Sequence, residues 1–260
     1  ESNLKESSLK KWKNLRYHLK HFSPKGLTFQ EITVSWLESF KIYLLNNVHR
    51  NSADTYFSTL KAALNKALKE DIVSTNPMMR VDNIGRTKSL PKYLTLDELK
   101  KLMNADFHPE VKKAFVFCCL TGLRFGEMKN LKWKDIFQDN GTWYMRYIQE
   151  KTSSEQITTF NRQVWQFMGE RRDDDSYIFN LPNNDNANRA LRKAAKSAGL
   201  NKHLTFHMSR HTFATLSLTS GVDLYTVSKL LGHTDIKNTQ IYARVIDKLK
   251  EEAVDKLPEL

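Results

Sequence analysis

The chain has 260 residues, 40% of them apolar and 11% aromatic, a balance that excludes a disordered protein and a length that leaves room for two separate cores. A formal net charge of +12 favours a polyanionic partner, double-stranded nucleic acid before an anionic membrane surface. No apolar run approaches the roughly 20 residues of a spanning helix and no signal-peptide pattern opens the chain, so a cytoplasmic protein with no membrane partner is expected.

Trp12, Leu15, Leu19 and Phe22 recur at helical spacing, as do Leu37, Phe40 and Leu44, and then Tyr56, Leu60, Leu64 and Leu68. Thr33 and Ser52 suit the N-cap positions of the second and third helices. With a short fourth helix near Asn76 to Val81, residues 1–83 are expected to form a small helical bundle. Sixteen basic residues against eight acidic ones precede position 94, and twenty-five against twenty-one follow it, so the smaller part carries the larger excess. Lys10, Lys11, Lys13, Arg16 and Lys20 crowd one short helix and suit phosphate contacts, although a run of charge is also what an ordinary solvated face presents. Gly85 and Pro91 punctuate a polar stretch that predicts a linker over 84–93.

Residues 94–260 then predict a second domain. Thr95-Leu96-Asp97-Glu98 has the form of a capping box. A long apolar helix is expected from Pro109 to Leu120, ending at Thr121-Gly122, with the adjacent Cys118 and Cys119 inside it as small buried hydrophobes, lacking the spacing of a zinc site. Alternation of Trp143, Met145 and Tyr147 with Tyr144, Arg146 and Ile148, a polar turn at Thr152-Ser153-Ser154 and a return through Ile157 predict a hairpin over Thr142 to Thr159. Tyr177-Ile178-Phe179 suits a short extended piece, and helices resume near Asn186. The fold class expected is mainly α with a small antiparallel β-sheet.

Cleaving a phosphodiester with a side-chain nucleophile takes cationic donors for the phosphate, a proton donor for the leaving oxygen, and the nucleophile. In Thr121-Gly122-Leu123-Arg124-Phe125-Gly126-Glu127 an arginine sits at a helix junction with Glu127 one turn on to orient it, a spacing an ordinary surface ion pair shares. In Phe206-His207-Met208-Ser209-Arg210-His211, His207 and Arg210 share a helix face. His207 and His211 have the spacing of a metal pair, but Met208 replaces the glutamate of a zinc-protease helix and no third ligand stands out, so no metal is assigned. His211 reads as a packed structural histidine. Lys151 falls near the hairpin tip, where most lysines are merely solvated. His233, in Leu231-Gly232-His233, precedes Tyr242 by nine positions, and Tyr242 alone is an unremarkable half-buried phenol.

In chain order Arg124, Lys151, His207, Arg210, His233 and Tyr242, with the segments TGLRFGE, EKT, HMSRHTFAT, LLGHTDI and NTQIYARV, resemble the active-site series of the tyrosine recombinases, or phage integrases. The helical first domain and the linker are similar to that family's core-binding region, so the resemblance spans almost the whole chain. Two departures are Met208, where an acidic residue or asparagine is frequent, and Thr159-Phe160, where a proline-leucine pair is frequent.

The resemblance implies a helical core-type DNA-binding domain joined to a mixed α/β catalytic domain, and a site-specific recombinase or integrase. Arg124, Arg210 and His233 would hold the scissile phosphate. Tyr242 would attack it to leave a 3′-phosphotyrosyl link, His207 would accept the phenolic proton and Lys151 would protonate the leaving 5′ oxygen. It implies no cofactor, a homotetramer on double-stranded DNA, and room for a DNA-bending accessory protein. A helix over about 244–257, with Ile246, Leu249, Ala253 and Leu257 on one stripe, could pack on its own domain, and by the resemblance would dock onto a neighbouring protomer instead. Because the chain starts at Glu1, a preceding arm-binding domain is conceivable. A type IB topoisomerase, which nicks and reseals one strand, and a catalytically inert DNA-binding protein are the rivals.

Overall fold

Apolar residues spaced three and four apart close the first helices against one another. A computed structural model describes residues 6–87, 90–150, 153–242 and 247, divided into two units, Glu1–Ser89 and Leu90–Leu260. The first unit holds α1 (Glu6–Phe22), α2 (Val34–Asn47), α3 (Arg50–Lys69) and a 3-10 turn at Pro77–Arg80. Leu15, Leu37, Phe40, Leu44, Phe57, Leu60 and Leu64 are buried in its core with Met78. Each such side chain contributes about 1.5–3 kcal/mol. Phe22, Trp36, Phe40 and Tyr43 pack as an aromatic cluster with ring centroids 5.1 to 5.9 Å apart.

Thr33 caps α2, its hydroxyl accepting from Trp36 N at 3.2 Å. Ser52 does not cap α3. The helix starts at Arg50 after an extended Val48, and the His49 carbonyl accepts from Ser52 and Ala53, so Ser52 lies inside the first turn. Where a short helix was expected, Asn76 caps a 3-10 turn through Met78 N at 2.9 Å, with Pro77 in its first position. The segment expected to open the linker is fastened to α3. Asp54, 8% exposed, accepts from Gly85 N at 3.1 Å and Arg86 Nε at 3.0 Å. Arg50 donates to the Ile84 and Gly85 carbonyls, and Asn51 accepts from Thr87 N. A carboxylate removed from water needs such partners, and here they hold residues 84–87 in place.

The second unit opens with α4 (Leu96–Asn104), started by the capping box of Thr95 and Glu98, and α5 (Pro109–Thr121). α5 is apolar around most of its circumference and is buried accordingly, with Phe115, Phe117, Cys118 and Cys119 all inside. Both cysteines are free thiols. The short α6 (Phe125–Lys129) leads to a three-stranded antiparallel sheet of β1 (Ile136–Asp139), β2 (Thr142–Ile148) and β3 (Glu155–Phe160), in the order β1-β2-β3. The β2–β3 hairpin was expected. The β1 strand was not, although Asn140-Gly141, at φ +46° and +78°, is the two-residue turn that joins such strands. Met145 and Tyr147 face the core, and Trp143 pairs with Phe160. The extended piece near Tyr177 makes one isolated antiparallel bridge with Lys132.

Among the described residues, α7 (Asn184–Ser197), α8 (Phe206–Thr219) and α9 (Leu224–Leu230) follow. Phe206 packs edge-on to Phe115 and Phe125, with centroids at 5.6 and 4.9 Å, setting the start of α8 against α5 and α6. Gly122 ends α5 at φ +73°, and a Cβ built there would lie 2.6 Å from Phe213 Cδ1 and 3.1 Å from Leu231 Cδ2. Only glycine suits both the backbone and that close approach. Lys151 and, apart from Asp247, the helix expected over 244–257 lie outside the described residues. Among the described residues no helix is long and apolar enough to cross a membrane.

Candidate active site

Three chain junctions meet in the second unit. They are the end of α5, the start of α8 and the loop after α9, and they carry five of the six residues expected to do chemistry. Arg124 occupies the N-cap position of α6. Glu127, 2% exposed, accepts from Arg124 N at 2.9 Å and from its guanidinium Nη1 at 2.6 Å. One buried carboxylate thus fixes both the backbone and the side chain of Arg124, whose side chain is 26% exposed. A Cβ at Gly126 would fall on the Glu150 carboxylate, the flexible end of an exposed side chain, which would have to move aside.

Arg210 lies on α8 at 4% exposure. Its Nη1 donates to the Gly122 carbonyl at 2.7 Å and its Nη2 to the Leu231 carbonyl, which ties α8 to the ends of α5 and α9. Burial, then the charge of Arg124, lowers its pKa to about 10, opposed by Glu127. It therefore remains a cation at pH 7. Holding two guanidinium groups beside one carboxylate leaves a surplus of positive charge, which an anion such as a phosphate would neutralise.

Three imidazoles surround that charge. His207 keeps an exposed surface, yet crowding of its ring by protein, then Arg210 and Arg124, hold its pKa below the ordinary value. His211 is lowered to about 4 by burial, then by His207, Arg210 and His233. His233 is lowered to about 4 by burial, then by Arg210 and Arg124. Its Nδ1 meets the Thr239 hydroxyl at 2.8 Å, its backbone N–H donates to Ser228 O, and Gln149 Nε2 donates to the Gly232 carbonyl at 2.9 Å. Thr239 and Gln149, both buried, thus hold the His233 loop. Neither stood out in the sequence, because a threonine and a glutamine carry no local signature of that task.

Tyr242 closes the site from a 3-10 turn at Gln240–Tyr242. It is 2% exposed and packs on Ala214, Leu218, Val227 and Leu231. Burial pushes its phenol up to about 12, against a lowering by Arg210. At pH 7 that phenol stands about five units from ionised, roughly 7 kcal/mol. Its hydroxyl lies 2.6 Å from Nδ1 of His211, the histidine expected only to pack, and not against His207, the expected proton acceptor. The His207 ring stands edge-on to His211 at 4.8 Å between centroids. A second phenol, Tyr147 on β2, is buried nearby and is also raised, by burial and then by Glu127. Lys10, Lys11, Lys13, Arg16 and Lys20 belong to the other unit and are all exposed along α1. There Lys10 and Lys11 line a groove with Asn14, Asn51, Tyr56 and Arg86.

The depressed histidines set a pH dependence. Protonation of His211 and His233 is easier in the unfolded chain, near 6.5, than in the folded one, near 4. The native state therefore binds fewer protons in that window, and stability present above pH 6.5 is lost as pH falls toward 4. Thermal melts are expected to show a steadily falling midpoint from pH 7 to pH 4.5. A midpoint that stays level would mean that these rings are not held neutral by the fold.

Two family models match the chain, the phage integrase family over residues 92–248 and the phage integrase SAM-like domain over residues 1–84. A tyrosine recombinase XerA of Pyrococcus horikoshii is 30% identical over 65% of this chain and 62% of its own length. The same-named protein of Pyrococcus furiosus is 31% identical over 68% of this chain and 65% of its own length, so the chain spans just under two thirds of both. A tyrosine recombinase XerD of Rickettsia bellii is 27% identical over 94% of this chain and 90% of its own length. Among solved structures, the post-cleavage complex of the XerH site-specific recombinase with a palindromic difH substrate matches at a TM-score of 0.77 and 18% identity, over 96% of this chain and 79% of that one. A dimer of lambda integrase bound to a COC′ core site matches at 0.73 and 21%, over 92% and 89%. These two likenesses show the fold.

Proposed function

This chain belongs to the phage integrase family, and from that membership and its converged site we propose that it is a site-specific DNA recombinase, cutting and rejoining strands through a phosphotyrosine on Tyr242. The observation that carries the reading is that the Tyr242 phenol, hydrogen-bonded to His211, lies in the field of Arg210, the same guanidinium that acts on His207 and His233 and is itself acted on by Arg124. Arg124 and Arg210 grip the scissile phosphate through guanidinium forks, and His233, with Nδ1 on Thr239, offers its other ring nitrogen to a phosphate oxygen. Tyr242 attacks phosphorus, and Lys151, by its place in the family motif, protonates the departing 5′ oxygen. The bond energy kept in the phosphotyrosine lets a second 5′-hydroxyl reseal the strand.

Residues 1–83 form the core-type DNA-binding domain in this reading, 84–93 the linker and 94–260 the catalytic domain. Strand exchange between two duplexes engages four protomers, and the stripe over 244–257 docks onto the next one. The chain works where its DNA lies, in the cytoplasm. Lys13, Arg16 and Lys20 share one face of α1, spaced three and four residues apart, and contact phosphates. Reversing all three to glutamate is expected to weaken DNA binding and to shrink the slope of log affinity against log salt by about three. An unchanged slope would leave them as a solvated face.

The reading is tested by presenting the purified chain, in EDTA, with a randomised pool of nicked duplexes that trap cleavage. The expected result is an SDS-resistant protein–DNA adduct whose labelled peptide contains Tyr242, and recombination between two copies of the captured site on one plasmid. Relaxation of supercoils without recombinants would favour the topoisomerase. Retention of DNA without any adduct would favour the inert binder.

A further inference from the structure

We propose that His211 is a catalytic residue, receiving the phenolic proton of Tyr242 at Nδ1 as the phenol attacks the scissile phosphate. This rests on the recombinase reading and deepens it. The carrying observation is geometric, since the Tyr242 hydroxyl and His211 Nδ1 are 2.6 Å apart. That is a short hydrogen bond already aligned on the atom that must lose its proton. His233 has Nδ1 committed to Thr239, and the His207 ring stands edge-on to His211, 4.8 Å away between centroids, while the phenol's hydrogen bond goes to His211. Arg210 and Arg124 are cations and cannot accept.

The step balances within the site. The Tyr242 oxygen forms a bond to phosphorus while its O–H bond breaks, and the proton passes to His211, which becomes an imidazolium. The bond from phosphorus to the 5′ oxygen breaks, and that oxygen takes its proton from the separate acid. Resealing runs the same transfer backwards, with His211 returning the proton to the leaving phenol.

The surroundings make the transfer depend on DNA. His211 is faced by His207 and Arg210 from α8, by His233 from the loop after α9 and by Tyr242 from the terminal turn. With no anion in the pocket, an imidazolium there adds charge beside the arginine, so the ring stays neutral and the phenol stays protonated. A phosphate held by Arg124 and Arg210 brings the compensating negative charge, and His211 becomes a usable base only then. The bond that activates Tyr242 on DNA therefore parks it, buried and un-ionised, in its absence.

The test compares wild type with His211→Asn and His211→Gln in single-turnover adduct formation on the captured nicked duplex, from pH 6 to pH 9.5. Asparagine and glutamine can hold the hydroxyl but cannot take its proton. The expected result is wild-type DNA retention in gel shifts, cleavage at pH 7 slowed by about 10²-fold or more, and a deficit that narrows as pH rises and hydroxide ionises the phenol. A duplex with a bridging sulfur in place of the 5′ oxygen, whose thiolate leaves without an acid, should not restore the variants. Cleavage within threefold of wild type, an equal loss at every pH, or rescue by the sulfur duplex would each overturn the proposal. Should both variants fail to fold, nitrogen-15 spectra of wild type decide. An unprotonated Nδ1 on His211 whose signal shifts in Tyr242→Phe supports the assignment, and a protonated Nδ1 overturns it. Wild type forming no adduct would remove the recombinase reading itself, whereas normal adducts from the variants remove only this proposal.

Discussion

Tyr242→Phe is expected to form no covalent adduct on a duplex that wild type captures, a loss of at least about 10⁴-fold limited by detection. The substitution is nearly silent for packing, because the ring lies on Ala214, Leu218, Val227 and Leu231, none of which needs the hydroxyl. What is lost is one hydrogen bond to His211, about 1 kcal/mol of stability. DNA retention should therefore persist while chemistry stops, separating the nucleophile from the grip. The variant also tests Tyr147, the other buried phenol near the arginines. An SDS-resistant adduct from Tyr242→Phe at the wild-type rate would move the nucleophile elsewhere. Peptide mapping would then show whether Tyr147 carries the DNA.

What the sequence discloses here is local punctuation, and what it hides is how helices cross. Thr95 with Glu98, Gly122 after α5 and the alternation through β2 each act within a few residues, so capping, termination and strand direction are legible. The same local rule would have found β1 through Asn140-Gly141, a turn the residue pattern carries in full. The core stripe of α3 is harder. Tyr56 and Leu68 fit a helical repeat with Leu60 and Leu64, but Phe57 and Ala67 are the buried neighbours, because the partners of α3 meet it slightly off that line. Trp12 likewise continues the stripe of α1 yet is 37% exposed.

The site shows the same division at higher stakes. Motif order singles out Arg124, Arg210, His233 and Tyr242 as candidates, and Glu127 lies one turn from the arginine it holds. On α8, however, His207 and His211 sit four residues apart on nearly one face, and sequence cannot say which meets a phenol thirty-one positions further on. That depends on where the turn after α9 returns to α8. Its return is set by Gly122 admitting Phe213 and Leu231, by Arg210 reaching the Leu231 carbonyl and by Thr239 bonding His233. All but the last of these are contacts between segments distant along the chain.

Arg210→Ala is expected to damage stability and chemistry together, and the two losses can be separated. In the fold, the side chain satisfies the Gly122 and Leu231 carbonyls at the ends of α5 and α9. Leaving two buried carbonyls without donors costs about 1–3 kcal/mol each, so the melting midpoint should drop by several degrees. In the reaction, a guanidinium has five N–H donors, and two spent on carbonyls leave three for a phosphate. A lysine has three in all, on one nitrogen, and cannot span both carbonyls and a phosphate. Arg210→Lys should therefore keep much of the fold's charge balance, with Glu127 still facing two cations, yet cleave about 10²–10³ more slowly. Measured well below the melting midpoint, adduct formation by either variant within tenfold of wild type would reduce Arg210 to a clamp between helices. A loss by both, with the lysine variant the more stable, requires the same side chain to hold the pocket together and to grip the phosphate. Its burial at 4% is then what keeps the grip dry and correctly aimed.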